Sequence, residues 1–175
     1  MKFNKLLAVL TLFVGFQVNA NMIEIELDST QVQPNDILSI NLITNFTDPV
    51  DEFDFDFLFD TSVFSFVAGS ESTDLPNDGF DAIFSIAGNA TGLGLGFIDF
   101  SSFLSGEYFI SFDLKANVAG ASTFDLAVNT LYSFIADQDY QLAAVEQKSA
   151  TVSAPATLGL FVIALIAFAG FRRKA

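Results

Sequence analysis

The chain has 175 residues, with 21 acidic against 7 basic side chains and neither histidine nor cysteine. Without those two residues no Ser-His-Asp or Cys-His nucleophile can be assembled. Disulfides are excluded, and zinc, iron and copper lose their commonest ligands. A net charge of −14 repels phosphate backbones and argues against nucleic acid as a partner.

The first twenty residues read as an export signal. Lys2 and Lys5 form a positive start, Leu6 to Phe16 an apolar core, and Val18-Asn19-Ala20 a small-residue cleavage site. The core is too short for a membrane span, so cleavage is expected between Ala20 and Asn21. From Asn21 to about Thr151 the chain is one domain of ordinary size. It holds all 21 acids but only Lys115 and Lys148 as bases, a net charge of −19. Such a surface favours solubility and attracts divalent cations or basic partners.

Within this domain, periodicity predicts strands. Ile23, Ile25 and Leu27 alternate with Glu24 and Glu26. Gln33-Pro34-Asn35-Asp36 is a turn, after which Leu38, Ile40, Leu42, Thr44 and Phe46 share one face. Asp48-Pro49 is expected to end that strand. Phe53, Phe55, Phe57 and Phe59 then alternate with Asp54, Asp56, Leu58 and Asp60, with phenylalanines inward and carboxylates outward. Asp54 and Asp56 are spaced as a carboxylate pair for hydrolysis would be, but acids beside an apolar stripe ordinarily form the solvated face.

Val63 to Val67 is a short strand, followed by a polar loop from Gly69 to Gly79. Glu71, Asp74, Asp78 and Asp81 in and beside this loop are candidate calcium ligands, although their spacing is not that of an EF-hand. Ala82 to Ala87 and Gly92 to Phe100 are strands. The alternating glycines of the latter suit close backbone packing better than a phosphate loop, which would need a lysine and a following helix. Tyr108 to Ala116, Thr123 to Val128, Leu131 to Ile135 and Gln141 to Val152 complete the set. Eight or nine short strands, sixteen phenylalanines in the domain and no amphipathic helix predict an all-β sandwich.

The C-terminus carries a second address. Ser153-Ala154-Pro155-Ala156-Thr157 leads into an apolar stretch, Leu158 to Phe171, which Arg172, Arg173 and Lys174 close as a cytoplasmic stop. Residues 152–175 resemble the PEP-CTERM sorting signals of Gram-negative bacteria. Pro155, Thr157 and Leu158 match the motif, while Ser153 and Ala154 replace its first Pro and its Glu. The resemblance implies insertion in the inner membrane and processing by an exosortase-like protease, then release to the cell surface or extracellular matrix, in an exopolysaccharide or biofilm setting.

Three blocks carry a second resemblance. Val50 to Val67 and Gly106 to Ala116 are similar to strands of cohesin-like domains, and Gln33-Pro34-Asn35-Asp36-Ile37 is similar to their opening turn. Thr61-Ser62 stands where that family commonly has a proline. The resemblance implies a single jelly-roll sandwich of about nine strands and a non-enzymatic role. Its partner would be a dockerin-like protein or an exopolysaccharide, and calcium is the one cofactor to consider. The alternatives are a carbohydrate-binding module, a permanently membrane-anchored periplasmic protein, and a hydrolase built on Asp54 and Asp56.

Overall fold

The computed structural model describes residues 21–154. Among them there are thirteen strands and no helix: β1 (Asn21–Leu27), β2 (Gln31–Val32), β3 (Ile37–Val50), β4 (Glu52–Leu58), β5 (Phe64–Phe66), β6 (Ser72–Thr73), β7 (Ala82–Gly88), β8 (Gly92–Asp99), β9 (Leu104–Ala116), β10 (Gly120–Ser133), β11 (Gln138–Asp139), β12 (Leu142–Val145) and β13 (Lys148–Val152). The excess over the expected nine lies in the two-residue rungs β2, β6 and β11 and in a divided last segment. No helix among the described residues is long and apolar enough to cross a membrane. The apolar stretch Leu158 to Phe171 and the export signal lie outside the described residues.

The strands form two sheets. Sheet one runs β12-β1-β3-β9-β5, with β6 also on β9; sheet two runs β2-β13-β10-β4-β8-β7, with β11 on β10. Alternation of side chains fixes what lies between them. Ile23, Ile25, Leu38, Ile40, Leu42, Phe46, Ile110, Phe112 and Leu114 point inward from sheet one, and Phe53, Phe55, Phe57, Leu93, Leu95, Phe97, Phe124 and Leu126 from sheet two. Phe57 sits at the centre. Its ring meets Phe112 of the facing sheet edge-on at 5.1 Å and lies near-parallel to Phe124 at 5.9 Å, geometries that suit the ring quadrupole.

Three expectations need correction. Asp48-Pro49 does not end β3. The ladder to β9 is interrupted between Phe46 and Val50 and then resumes, so proline's missing N–H falls where no rung is made. Asn21, fully buried, holds this irregular stretch: its Oδ1 accepts from the Thr47 and Asp48 amides, and its Nδ2 donates to Asp48. Next, the segments expected at Thr123–Val128 and Leu131–Ile135 are one strand, β10, with a bulge between Val128 and Thr130. Phe134 and Ile135 lie beyond its end. Lastly, Gln141 to Val152 divides: β12 pairs with β1 in sheet one, and β13 pairs with β10 in sheet two.

Candidate interaction face

The outer face of sheet two is built on β4. The same alternation that buries its phenylalanines sets Glu52, Asp54, Asp56 and Leu58 outward. Register brings these into rows across the sheet: Tyr132, Glu52, Ile98 and Ile83; Thr130, Asp54, Gly96 and Ser85; Ala127, Asp56, Gly94 and Ala87. The middle rows therefore have a carboxylate beside a glycine, which leaves a flat trough along β8. A Cβ on Gly94 would rest 3.9 Å from Asp56 Oδ1, in ordinary contact, and one on Gly96 only 3.1 Å from Ser85 Oγ. Gly92 is different in kind. Its φ of +156° and the adjacent Phe57 carbonyl leave no space for any side chain.

Asp54 and Asp56 do not behave as a matched pair. Asp56 is clamped: Asn89 Nδ2 donates to one oxygen at 2.8 Å and Asn129 Nδ2 to the other at 3.0 Å. Asn89 comes from the β7–β8 turn and Asn129 from the β10 bulge. Asp54 is exposed and has no hydrogen-bond partner among the described residues. Two carboxylates on an open, flat face, one of them saturated by amides, offer recognition of donors rather than enclosed acid–base chemistry.

The loops at one end of the sandwich add an apolar rim. Phe80 is 82% exposed, Phe100 65%, Ile135 64% and Phe134 51%. They precede β7 or follow β8 and β10, so strand register gathers them at one end. Two buried acids fix these loops. Asp51 accepts from Ser133 Oγ and from the Phe134 and Ile135 amides, while its own carbonyl accepts from the Asp99 amide. Burial would raise the Asp99 carboxyl, but hydrogen bonds from the Ser102 and Ser101 hydroxyls and amides outweigh it and hold it below the usual carboxylate range. Tyr132 donates to Asp137 at 2.6 Å, and that bond, with burial and neighbouring carboxylates, pushes its phenol up to about 12. Phe100, Phe134 and Ile135 fall within expected strands, and Phe80 has no assigned role in the sequence reading. The one available signal was their place among Ser, Gly and Asp rather than in an alternating run.

The four calcium candidates are dispersed. Glu71 accepts from the Gly69 amide and Asp74 from the Phe109 amide. Asp78 caps the entry to β7, accepting from the amides of Phe80, Asp81 and Ala82. The Ala82 amide is the chief reason its carboxyl is held below the usual range. Asp81 contributes its backbone, accepting from Phe100. Among the described residues no three acidic side chains come together in a metal-binding group. The reason is local: the carboxylates of Glu71, Asp74 and Asp78 are taken up by backbone N–H groups, and such bonds satisfy the loop.

Of the processing residues, the structure describes Asn21, Ser153 and Ala154. The Ser153 amide donates to the Val32 carbonyl, so the fold reaches the first residue of the expected sorting motif. Ala20, Pro155, Ala156, Thr157, Arg172, Arg173 and Lys174 lie outside the described residues. Val152 pairs with Gly120, at the start of β10. The chain therefore leaves the domain at the end opposite the exposed phenylalanines, roughly 40 Å away at ~3.3 Å per strand residue.

A cleft of about 690 Å³ opens between β1 and β13, lined by Glu24, Glu26, Asp28, Asn41, Gln147 and Lys148 among others. Lys148 is paired with Glu146 at 3.0 Å.

No protein-family model and no curated protein matches the chain. Solved structures do. A non-cellulosomal cohesin from the hyperthermophilic archaeon Archaeoglobus fulgidus superposes with a TM-score of 0.57 at 8% identity, over 81% of this chain and 97% of that one. The sixth cohesin of scaffoldin B from Acetivibrio cellulolyticus, solved in complex with a Cel5 dockerin mutant, gives 0.58 at 14% identity, over 77% and 100%. The cohesin CaCohA2 of Clostridium acetobutylicum gives 0.56 at 19%, over 79% and 96%. Identities this low speak to the fold alone, and the fold of residues 21–154 is a cohesin-like all-β sandwich.

Proposed function

We propose that this protein is an exported, non-enzymatic docking module that engages a protein partner on the outer face of sheet two. The observation that carries the reading is the flat trough over Gly94 and Gly96, bordered by the free carboxylate of Asp54 and the clamped one of Asp56. Neighbours of the same fold have been solved bound to dockerins, which supports a dockerin-like partner. The domain charge of −19 favours one with basic groups.

In this reading the signal is cut after Ala20, which leaves the buried Asn21 as the first residue. The segment from Leu158 to Phe171 halts in the inner membrane with Arg172, Arg173 and Lys174 inside. An exosortase-like protease acts near Pro155, just beyond the last backbone hydrogen bond of the fold at Ser153, so processing leaves the sandwich intact. While the tail is held, the phenylalanine-rich end points away from the bilayer. The processed protein works at the cell surface or in the extracellular matrix.

One observation favours a second reading as a carbohydrate-binding module. In a chain without tryptophan, the exposed rings of Phe80, Phe100 and Phe134 are the aromatic surface on which a sugar could stack.

Two measurements test the proposal. The first is intact mass of the native protein in membrane and medium fractions. A species starting at Asn21 and ending between Val152 and Thr157 supports export and processing; a membrane species retaining Ala175 means a permanent anchor. The second compares wild type with Gly94→Lys in binding to host extracellular proteins and to isolated exopolysaccharide. Gly94 has space for a side chain, so the variant should keep its melting temperature and lose its protein partner. Retained protein binding would refute the docking face. Loss of polysaccharide binding only in Phe80→Ser and Phe134→Ser would favour the second reading.

A further inference from the structure

The longest uncharged run of this acidic domain is residues 82–98, between Asp81 and Asp99. It forms the β7–β8 hairpin, and β7 is the terminal strand of sheet two. An edge strand presents unpaired N–H and C=O groups, and proteins commonly protect such edges with charge, proline or a covering loop. β7 (Ala82-Ile83-Phe84-Ser85-Ile86-Ala87-Gly88) carries neither charge nor proline.

A loop covers only its first part. The Ala82 carbonyl accepts from the Asp78 and Gly79 amides, and the Phe84 amide reaches Asn77 Oδ1 at 3.4 Å. The remaining groups can be placed by alternation. The Phe100 amide donates to the Asp81 carbonyl and the Asn89 amide to the Gly92 carbonyl. Odd-numbered residues of β7 therefore bond to β8, and even-numbered ones turn their backbone outward. The Phe84 carbonyl and both backbone groups of Ile86 and Gly88 have no partner among the described residues. The side chains of Phe84 and Ile86 point inward but are only partly buried at the rim of the core, so one more strand would complete their cover.

We propose that a second copy of this chain supplies that strand, pairing β7 with β7 antiparallel about a two-fold axis at Ile86. This register sets Phe84 opposite Gly88 of the second copy, Ile86 opposite itself, and Ser85 opposite Ala87 of the second copy. It is isologous and self-limiting. Charge selects the occupant. Two domains of −19 repel wherever carboxylates oppose one another, and β7–β8 is the one hairpin that meets its copy with none. Pairing therefore strengthens as salt screens the remaining repulsion, whereas a basic peptide attracted to the acidic surface would bind more weakly in salt. The contact is separate from the Gly94 face and does not depend on it.

The chain has no cysteine, which makes single-cysteine variants of the full-length protein clean probes. Ser85 and Ala87 of the second copy would form a non-hydrogen-bonded pair about 4.5 Å apart at Cα, within disulfide reach. Mixing Ser85→Cys with Ala87→Cys and oxidising should yield a covalent dimer that neither variant gives alone. Sedimentation in detergent should show more dimer at about 500 mM than at about 50 mM salt. Ser85→Lys, on the exposed side of the edge, should return the protein to monomer without lowering its melting temperature. No cross-link in the mixture, equal cross-linking by Ser85→Cys alone, or a disulfide to a different protein would each overturn the pairing, the last assigning the edge to another chain.

Discussion

The two sheets finish their edges in opposite ways. In sheet one the far side of β9 is sealed by β5, by β6, and by a loop that docks polar groups onto its free amides: Ser70 Oγ accepts from Asp113 and Asp74 from Phe109. In sheet two the last strand, β7, is capped at its entry by Asp78 and left open beyond Phe84. The acids and hydroxyls between Gly69 and Asp81 thus close backbone rather than collect metal, and the face and edge they leave open belong to sheet two. One side of the sandwich is finished internally, while the other is available to partners.

The core is common to both sheets, and breaking it should erase the contrast. Phe57 is fully buried where Phe112 and Phe124 converge. Phe57→Ala should cost about 3–5 kcal/mol, read by denaturant titration, and open both edges together. A sharper break is Asp74→Ala, which removes the cap on the Phe109 amide. It should cost about 1 kcal/mol and raise hydrogen exchange at Phe109 and across β6–β9, with β7 and β8 unaltered. If β7 responded equally, the two edges would not be independent.

How much of this contrast was legible in the sequence depends on distance along the chain. The inward and outward faces of β1, β3, β4 and β9 follow from period-two alternation, and every residue of the Phe53, Phe55, Phe57 and Phe59 stripe is buried as that pattern requires. Edges are not local in this sense. That β9 is sealed and β7 open is decided by pairings between residues 37 to 52 positions apart, from Thr73 with Ile110 to Phe64 with Ala116. The buried roles of Asn21 and Asp51 are equally remote, since their partners lie 26 and 82 or more positions away. The bulge at Pro49 escaped for a related reason: a side chain from β1 supplies what the ladder lacks.

Acid should affect the two sides unequally. Asp60, Asp78 and Asp99 are all held below the usual carboxylate range. For Asp60 the chief cause is its bonds from Ser62, and for Asp78 its bond from the Ala82 amide. A depressed folded value gives stability that is complete above the unfolded value near 4 and is lost as pH falls through the folded value. Asp78 and Asp99 both hold the β7–β8 end. Below about pH 4, hydrogen exchange should therefore rise at Ala82 and Phe100 before it rises in the centre of β3 and β9. Relief of repulsion among the surface acids acts the other way, so global melting is the weaker readout.

The most direct test is a hydrogen-exchange footprint of the full-length protein with and without its host's extracellular fraction. Protection should appear in peptides from β4, β7 and β8, with none added on β3 or β9. A footprint on the outer face of sheet one, with sheet two exchanging as in the free protein, would contradict the assignment of sheet two as the side that meets partners.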